Sequence, residues 1–362
     1  RELDGTVWFR RALDLPESLS GKEAFLEMGR IIDADEFYIN GQKIGNTTYQ
    51  YPPRRYDVPS GVLKAGKNLF AIRVTNQYGK GGFVPDKPYF LEVGDQTFDL
   101  KGDWSYKVGA VYDRRGMNYP RSISIQNQPT ALFNAMVAPY TDYSVKGMCW
   151  YQGESNAGNP ETYQKLLPAF VRDWRVQFDQ PDLPVIVVQL PNFMDVNYLP
   201  EESNWAEMRE AQADILQLEN TGLVVTIDLG EWNDIHPMRK KPVGERAALV
   251  ARKLVYEEDL TYSGPMLKSA KKVDGQVVLS FDQVGTGLVA KGANELAHFA
   301  IAGKDEVYVW ANARIEGDQV IVWSETIKEP VFVRYAWADN PDFANLYNEE
   351  GLPASPFEVK LD

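Results

Sequence analysis

Histidine is the side chain best suited to moving protons near neutral pH, and this chain has two, His236 and His298. His236 follows an apolar stretch that ends at Asp228, and Asp234 precedes it by two residues. A carboxylate so placed can orient an imidazole and stabilise its charged form, as the acid of a catalytic triad does. His298 lies between apolar residues in a β-rich region, where a packed histidine is the simpler interpretation. His236 is therefore the predicted general base and Asp234 its partner, with Asp228 as the alternative acid.

A second polar cluster, Gln-Gly-Glu-Ser-Asn at residues 152–156, follows a predicted strand at 145–150. A helix is predicted soon after it, with Asn159 as its cap and Pro160 in its first turn. Ligands of open parallel sheets bind at the carboxyl ends of the strands. We therefore expect this cluster and His236 to lie at the same edge of one sheet.

The run 153–157, Gly-Glu-Ser-Asn-Ala, is similar to the nucleophile elbow of α/β-hydrolases. The chain order Ser155, Asp234, His236 also suits that enzyme class. Against it, Gly-Asn-Pro at 158–160 separates Ser155 from the helix, whereas an elbow serine enters its helix almost at once. Ser155 remains an alternative nucleophile.

Other chemistries have less support. Glu154 could act with a second carboxyl group in glycoside hydrolysis, but a solvated or structural acid is the simpler interpretation. The two histidines lack the spacing of metal ligands, and the single cysteine, Cys149, has no partner. No metal and no cofactor is therefore predicted.

The composition of the 362 residues, 44% hydrophobic and 25% charged, is that of an ordinary globular protein. A net charge of −13 argues against nucleic acid and against anionic membrane surfaces, since both attract basic proteins. The longest apolar run, 183–188, is far shorter than the about 20 residues that span a bilayer. Neither nucleic acid nor membrane is a predicted partner.

Residues 1–105 are predicted to form an antiparallel β-sandwich of jelly-roll type, because short β-type runs alternate with polar residues and glycine. Asn40-Gly41 is a strong hairpin signal. The longest loop of this region carries an aromatic and basic cluster, formed by Tyr49, Tyr51, Arg54, Arg55 and Tyr56. Such a cluster either forms a sugar-stacking rim or pins the loop by packing, and packing is the commoner role.

Residues 106–262 alternate strand and helix patterns, which predicts a parallel α/β sheet. The later elements are predicted as strands at 184–190 and 223–227 and helices at 203–218 and 243–256. Weak signals between 102 and 128 predict a linker. Residues 263–362 return to a β pattern, with turns at 273–276 and 316–318, and predict a second, small β-sandwich.

The block 150–157, Trp-Tyr-Gln-Gly-Glu-Ser-Asn-Ala, together with Asp-Ile-His-Pro at 234–237, resembles the sialate O-acetylesterase family of SGNH-type hydrolases. Further similar stretches are spread over nearly the whole chain, at 5–10, 33–41, 173–175, 208–212 and 345–353. The resemblance implies an SGNH flavodoxin-like α/β domain interrupted by an inserted β-sandwich. It also implies removal of acetyl groups from sugar hydroxyls by a serine and a histidine, without a metal.

Carried over by motif, His236 is the base, while Gln152, Gly153, Glu154 and Asn156 line the oxyanion and substrate side. Many SGNH hydrolases have an aspartate three residues before the histidine, where this chain has Asn233. Asp234 can still reach the ring, since side chains two apart on an extended segment point the same way.

The family's nucleophile lies in an early Gly-Gln-Ser-Asn block, and neither Gly-Gln-Ser nor Gly-Asp-Ser occurs in these 362 residues. We therefore expect a nucleophile-bearing segment outside them, deleted or on a companion chain, and an incomplete sheet with an exposed apolar edge.

The sequence thus predicts a carbohydrate O-acetylesterase, similar to sialate 9-O-acetylesterases, with an acetylated sugar as its substrate. The alternatives are an esterase that uses Ser155 and a carbohydrate-binding module without catalysis. The substrate class alone favours an extracytoplasmic location, whether periplasmic, secreted or lysosomal.

Overall fold

The computed structural model describes residues 3–77, 79–112 and 124–361, and only the backbone of residue 126. Its contacts divide the chain into two compact units, Arg1–Ile123 and Ser124–Asp362. The described residues form antiparallel and parallel sheets with four α-helices. Across those ranges, every helix is too short or too polar to cross a membrane.

The described residues of the first unit form eleven strands and a single-turn 3₁₀ helix at Glu17–Leu19. The strands are β1 (Gly5–Leu15), β2 (Ala24–Met28), β3 (Ile31–Ile32), β4 (Ala34–Ile39), β5 (Gln42–Thr47), β6 (Arg55–Val58), β7 (Gly66–Asn76), β8 (Gly82–Phe83), β9 (Tyr89–Val93), β10 (Gln96–Asp99) and β11 (Ser105–Val111).

These strands form two main antiparallel sheets, in the orders β11-β1-β7-β4-β5 and β10-β9-β2-β6, and a short β3-β8 pair. One hydrophobic core draws side chains from both main sheets, among them Phe37 and Ile72 from the first and Leu26 and Leu91 from the second. Every second residue of β7 is buried there, as expected for strands with one face on a core. The described residues of this unit contain no α-helix, in agreement with the β pattern of the sequence.

The hairpin predicted at Asn40-Gly41 is confirmed, because this pair joins β4 to β5. Both residues have positive φ, 52° and 85°, the conformation that two-residue hairpin turns require. The Asn40 side chain also donates hydrogen bonds to Val62 O and Asn68 Oδ1, at 2.9 and 2.8 Å. The turn is therefore fixed by backbone preference and by side-chain contacts.

The linker predicted at 102–128 is wrong for Ser105–Val111, which forms β11 beside β1. All seven residues of β11 are exposed, so no buried face marks the strand in the sequence. Its pairing with β1 overrides the weak local signal. Residues 113–123 of the predicted linker lie outside the described residues. The jelly-roll topology and the three domain boundaries stay predictions.

A fully buried ion pair holds the loop that carries the aromatic and basic cluster. The Arg54 and Asp35 side chains are both 0% exposed, and Arg54 Nε donates to Asp35 Oδ1 at 2.6 Å. Tyr56 OH donates to the other oxygen, Oδ2, also at 2.6 Å. Arg54 Nη2 donates to the carbonyls of Ile31 and Asp33. Arg54 and Tyr56 therefore pack within the unit, as the packing interpretation of this loop predicts.

The second unit begins with α1 (Ala131–Met136) and continues with strands and helices in alternation. These elements are β12 (Met148–Trp150), α2 (Pro160–Gln177), β13 (Val185–Val188), α3 (Asn204–Ala213), β14 (Thr221–Val224) and α4 (Lys240–Tyr256). Short 3₁₀ helices lie at Ile125–Asn127, Ala138–Tyr140, Glu154–Asn156 and Asp214–Gln217.

Strands β12, β13 and β14 form a parallel sheet in that order, which confirms the parallel sheet expected from the sequence. Successive residues of β13 face opposite sides. Val185 and Val187 join a core with residues of α2 and α3, whereas Ile186 and Val188 join a core with residues of α4. Burial of both faces explains why β13 is an uninterrupted apolar run.

Helix capping also follows the sequence. Asn159 Oδ1 accepts a hydrogen bond from Thr162 N at 3.1 Å before α2, and Ser203 Oγ accepts one from Ala206 N at 3.0 Å before α3. Helix α3 ends at Ala213 and tightens into the 3₁₀ turn that follows. Helix α4 begins at Lys240, three residues before the predicted start at 243.

The remaining strands are antiparallel: β15 (Met266–Val273), β16 (Gln276–Asp282), β17 (Leu288–Ala290), β18 (Phe299–Ala302), β19 (Val309–Trp310), β20 (Asn312–Glu316), β21 (Gln319–Trp323), β22 (Phe332–Tyr335), β23 (Leu346–Asn348) and β24 (Phe357–Lys360). They pair as β15-β16-β21-β20, β19-β18-β22-β24 and β17-β23. The turns predicted at 273–276 and 316–318 are confirmed, with positive φ at Asp274, Gly275 and Gly317. Residues of these strands share one core with α2 and α3.

We expect Asp35→Ala to lower the free energy of unfolding by about 3–5 kcal/mol, because it leaves the Arg54 guanidinium buried without its carboxylate. Urea denaturation of the whole chain measures the change. Lys43→Ala is the matched control: it breaks the partly exposed pair with Glu36, and a loss of at most about 1 kcal/mol is expected. Equal losses for the two variants would contradict a special role of the buried pair.

Candidate functional site

The carboxyl ends of the three parallel strands carry the predicted site residues. Residues 151–156 follow β12, Gln189 and Leu190 follow β13, and Asp228 comes a few residues after β14. Because the strands are parallel, these three segments emerge at the same edge of the sheet.

The polar turn after β12 is held by its own side chains. Gln152 Nε2 donates to Asn156 Oδ1 at 2.9 Å, and the Gly153 amide donates to Glu154 Oε2 at 3.0 Å. Residues 154–156 form a 3₁₀ turn in which Ser155 is exposed, while Gly153 beneath it is buried. Two of the predicted oxyanion-side residues, Gln152 and Asn156, are thus in direct contact.

Gln212 of α3 joins this turn to the end of the neighbouring strand. Its amide is fully buried, and Nε2 donates to Gln152 O at 3.1 Å while Oε1 accepts from Leu190 N at 2.8 Å. A Cβ at Gly153 would lie 2.8 Å from Gln212 Nε2 and 3.1 Å from Met208 Cε. A larger residue at position 153 would therefore have to displace the Gln212 side chain, whose hydrogen bonds join the two strand ends.

Arg209, one turn before Gln212, holds the loop after β13 in the same way. Its side chain is fully buried and donates to four backbone carbonyls at 2.7–2.9 Å, those of Leu190, Pro191, Ala338 and Asp339. Burial lowers the pKa of Arg209 to about 9, and the charge of Asp339 acts in the opposite direction. The guanidinium joins the sheet edge to the chain just after β22.

The loop of the predicted base is organised around two carboxylates. Asp234 is buried, and its Oδ1 accepts a hydrogen bond from the His236 backbone amide at 2.9 Å. Glu231 Oε1 accepts one from the Met238 amide at 2.6 Å. The side chain of His236 is exposed, and Pro237 after it is buried. Asp234 thus fixes the backbone that presents His236, and its action on the imidazole ring stays a prediction.

The alternative acid, Asp228, is engaged by Arg246 of α4. The two side chains form a bidentate pair, with nitrogen–oxygen distances of 2.6 and 2.7 Å. Burial raises the pKa of Asp228, but the hydrogen bonds and charge of Arg246 outweigh burial and hold the pKa below its usual value. The hydroxyl of Tyr347 acts on the pKa of Asp228 in the same direction as Arg246. These contacts give Asp228 a structural role at the end of the sheet.

Lys240, the first residue of α4, connects the two halves of the site. Its Nζ donates to Tyr151 OH at 3.2 Å and lies 4.7 Å from the centre of that ring. Loss of hydration lowers the pKa of Lys240, while the carboxylates of Glu154, Asp234 and Glu231 act in the opposite direction. The charge of this ammonium group therefore interacts with Glu154 in the turn after β12 and with Asp234 and Glu231 in the histidine loop.

Gln212 and Lys240 are not among the site residues predicted from the sequence. Gln212 lies on a helix that is predicted from the spacing of its apolar residues. Because an amide does not contribute to that spacing, the pattern does not indicate that Gln212 is buried. A signal for Lys240 does exist, because a helix dipole disfavours cations in the first turn and α4 begins with two lysines. Such a placement indicates a local acidic partner.

His298 is packed between aromatic rings, as predicted. Its ring centre lies 5.3 Å from that of Trp310 and 6.5 Å from that of Phe343. Burial lowers the pKa of His298, which favours the neutral ring. For metals, the described ranges contain no group of three or more His, Cys, Asp or Glu side chains that could hold an ion.

Comparison with known proteins bears directly on this edge of the sheet. Residues 121–250, which carry the polar turn and the histidine loop, match the family of sialic acid-specific acetylesterases among the carbohydrate esterases. The resemblance to the sialate O-acetylesterase family is confirmed.

Mouse sialate O-acetylesterase is 30% identical over 260 residues, which cover 64% of this chain and 47% of the mouse protein. The human sialate O-acetylesterase is 29% identical over 265 residues, with 65% and 50% covered. The chain thus spans about half the length of these relatives. A solved structure of a carbohydrate acetylesterase from Xanthomonas citri is 28% identical, with a TM-score of 0.62, and covers 96% of this chain and 99% of that one.

We expect Gln212→Leu to lower the free energy of unfolding by about 2 kcal/mol or more, because it leaves the buried amide of Leu190 without an acceptor. Chemical denaturation of the chain measures this loss. The matched control is Gln217→Leu, an exposed glutamine that bonds only locally to Asp214, with an expected change within about 0.5 kcal/mol. A Gln212→Leu variant as stable as that control would contradict the assigned role.

Proposed function

We propose that this chain forms part of a carbohydrate O-acetylesterase in which His236 is the general base. The observation that carries the proposal is the contact between Tyr151 and Lys240, whose Nζ donates to the Tyr151 hydroxyl at 3.2 Å. Tyr151 belongs to the block 150–157 and Lys240 lies three residues after the block 234–237, and the family resemblance rests on these two blocks. Relatives named sialate O-acetylesterase support an acetylated sialic acid as the substrate.

In the proposed reaction, His236 takes the proton of a serine hydroxyl as its oxygen attacks the acetyl carbonyl carbon. The tetrahedral intermediate collapses, the bond to the sugar oxygen breaks, and His236 returns the proton to that oxygen. Water then attacks the acetyl-serine with the same histidine as base, and acetate leaves. The exposed position of His236 supports this role, because the base must reach groups outside its own loop.

Gln152, Gly153 and Asn156 are the proposed oxyanion and substrate side. Asn156 Oδ1 already accepts a hydrogen bond from Gln152. The side-chain nitrogen of Asn156, Nδ2, can donate a hydrogen bond to the oxygen that becomes negative in the reaction. The Gly153 amide donates to Glu154 and would require that carboxylate to turn away before it could serve. We therefore assign Asn156 the larger part in stabilising the oxyanion. Glu154 is assigned a contact with the hydroxyl groups of the substrate.

We further propose that the nucleophilic serine lies on a strand-bearing segment outside these 362 residues, which pairs with the free edge of β12 and extends the sheet towards a flavodoxin-like form. In the described structure β12 has one strand neighbour, β13, and its Cys149 is exposed. No residue of α1 is buried. Large apolar side chains before β12 are more than half exposed, namely Ile125, Leu132, Met136, Tyr140 and Tyr143. An open sheet edge, preceded in the chain by exposed apolar side chains, is the expected docking site for such a segment.

An extracytoplasmic location belongs to the same proposal. It rests on the substrate class alone, since both the acetylated sialic acids of glycans and acetylated polysaccharides lie outside the cytoplasm.

In the complete protein, we expect His236→Ala to reduce acetate release from 9-O-acetyl-N-acetylneuraminic acid by a factor of about 10³ or more, because the variant lacks the proposed general base. His298→Gln and Ser155→Ala are the matched controls, and both should keep activity within about twofold. Retained activity in His236→Ala would overturn the proposal. Loss of activity in Ser155→Ala with normal folding would instead favour Ser155 as the nucleophile.

The single cysteine provides a probe of the β12 edge. We expect Cys149 to react with a maleimide in the isolated 362-residue chain and at least about tenfold more slowly in the complete protein, because a paired strand would cover its exposed side chain. Mass spectrometry over time measures both rates. Both proteins unfolded in urea should react equally. Equal rates in the folded proteins would contradict docking at this edge.

A further inference from the structure

The first unit contains a cavity of about 540 Å³, well within the about 300–1,000 Å³ of small-molecule sites. Four aromatic rings line it, those of Phe9, Phe83, Tyr89 and Trp104. All of its lining residues belong to the first unit, whereas the site on the parallel sheet is built from the second.

The rings are fixed by their contacts before any ligand binds. Phe83 packs edge-on against Phe9 and Tyr89, with ring centres 5.1 and 6.0 Å apart. Tyr89 OH donates to Val84 O at 2.6 Å, and Trp104 Nε1 donates to Leu100 O at 3.0 Å. Because their polar atoms are already bonded within the unit, Tyr89 and Trp104 offer mainly ring surface to a ligand.

Charged side chains lie beside this aromatic surface. Asp86, Lys101 and Asp103 line the same cavity, and all three are exposed. Carboxylate oxygens accept hydrogen bonds, and a lysine ammonium group donates them. An apolar surface with a few polar groups is typical of sites that orient a small amphipathic molecule.

We propose that this cavity is a non-catalytic binding site for a neutral sugar ring. A pyranose presents apolar C–H faces, which pack against aromatic rings, and hydroxyl groups at its edge, which can bond Asp86, Asp103 and Lys101. A wholly apolar ligand would bury these charged groups without partners, at a cost in free energy. An anionic sugar acid is disfavoured, because two carboxylates and one ammonium group give the lining a net negative charge. The proposal does not depend on the esterase function.

The test uses the full chain, with methyl β-galactoside, methyl β-glucoside and methyl α-mannoside as neutral probes and N-acetylneuraminic acid as the anionic one. Saturation-transfer NMR and calorimetry detect and quantify binding. We expect at least one neutral probe to bind, N-acetylneuraminic acid to bind about tenfold more weakly, and Trp104→Ala to weaken the neutral probe by about tenfold or more.

Trp104→Phe keeps a ring at the position and should restore most of the affinity. Trp310→Ala, which removes a partly exposed tryptophan of the second unit, should leave the affinity unchanged. Asp103→Asn tests the hydroxyl contacts without changing side-chain size and should weaken binding severalfold. The proposal is overturned if no neutral probe binds, if Trp104→Ala binds as well as the unmodified chain, or if the sugar acid binds best.

Discussion

The candidate site depends on one buried amide, that of Gln212. It occupies the gap between the ends of β12 and β13, where backbone groups leave the sheet and lose their ladder partners. In many sheets water fills such a gap. Here a side chain of α3 both donates and accepts, so the distance between the two strand ends is set by a rigid helix. Glycine at position 153 belongs to the same contact, because a Cβ there would lie 2.8 Å from the Gln212 amide nitrogen and would displace it.

The electrostatics of the site follow from where that edge places acidic residues. Glu154, Asp234 and Glu231 each act on Lys240 through their charge, in a chain whose net charge is already −13. The ammonium group in turn offsets part of the repulsion among these three carboxylates. Tyr151 lies against the same ammonium group, and burial together with Glu154 raises the pKa of its phenol to about 12. The phenol therefore stays protonated around neutral pH and acts as a neutral hydrogen-bonding group.

Much of the fold could be predicted from the sequence, because single residues or short runs determine the local backbone conformation. Asn40-Gly41, the Asn159 and Ser203 caps and the apolar run of β13 each have a short-range physical cause. Strand β11 was missed because its residues are all exposed and only the neighbouring strand β1 defines it. For the candidate site, the sequence suggests Asp234 and His236 because they are close in sequence, whereas Gln212 and Lys240 make contacts across the fold that only the structure shows. Exposed β strands and buried amides do not change hydrophobic periodicity.

The buried guanidinium of Arg209 has a consequence for how this protein can be divided. Two of its four acceptors come from the loop after β13, and two come from residues 338 and 339, beyond β22. A shortened protein that stops after α4 would keep the charge and lose half of its acceptors, besides the shared core. The last hundred residues are therefore an internal support of the sheet edge, and homologues should be unable to exchange this region as an independent module without also changing Arg209.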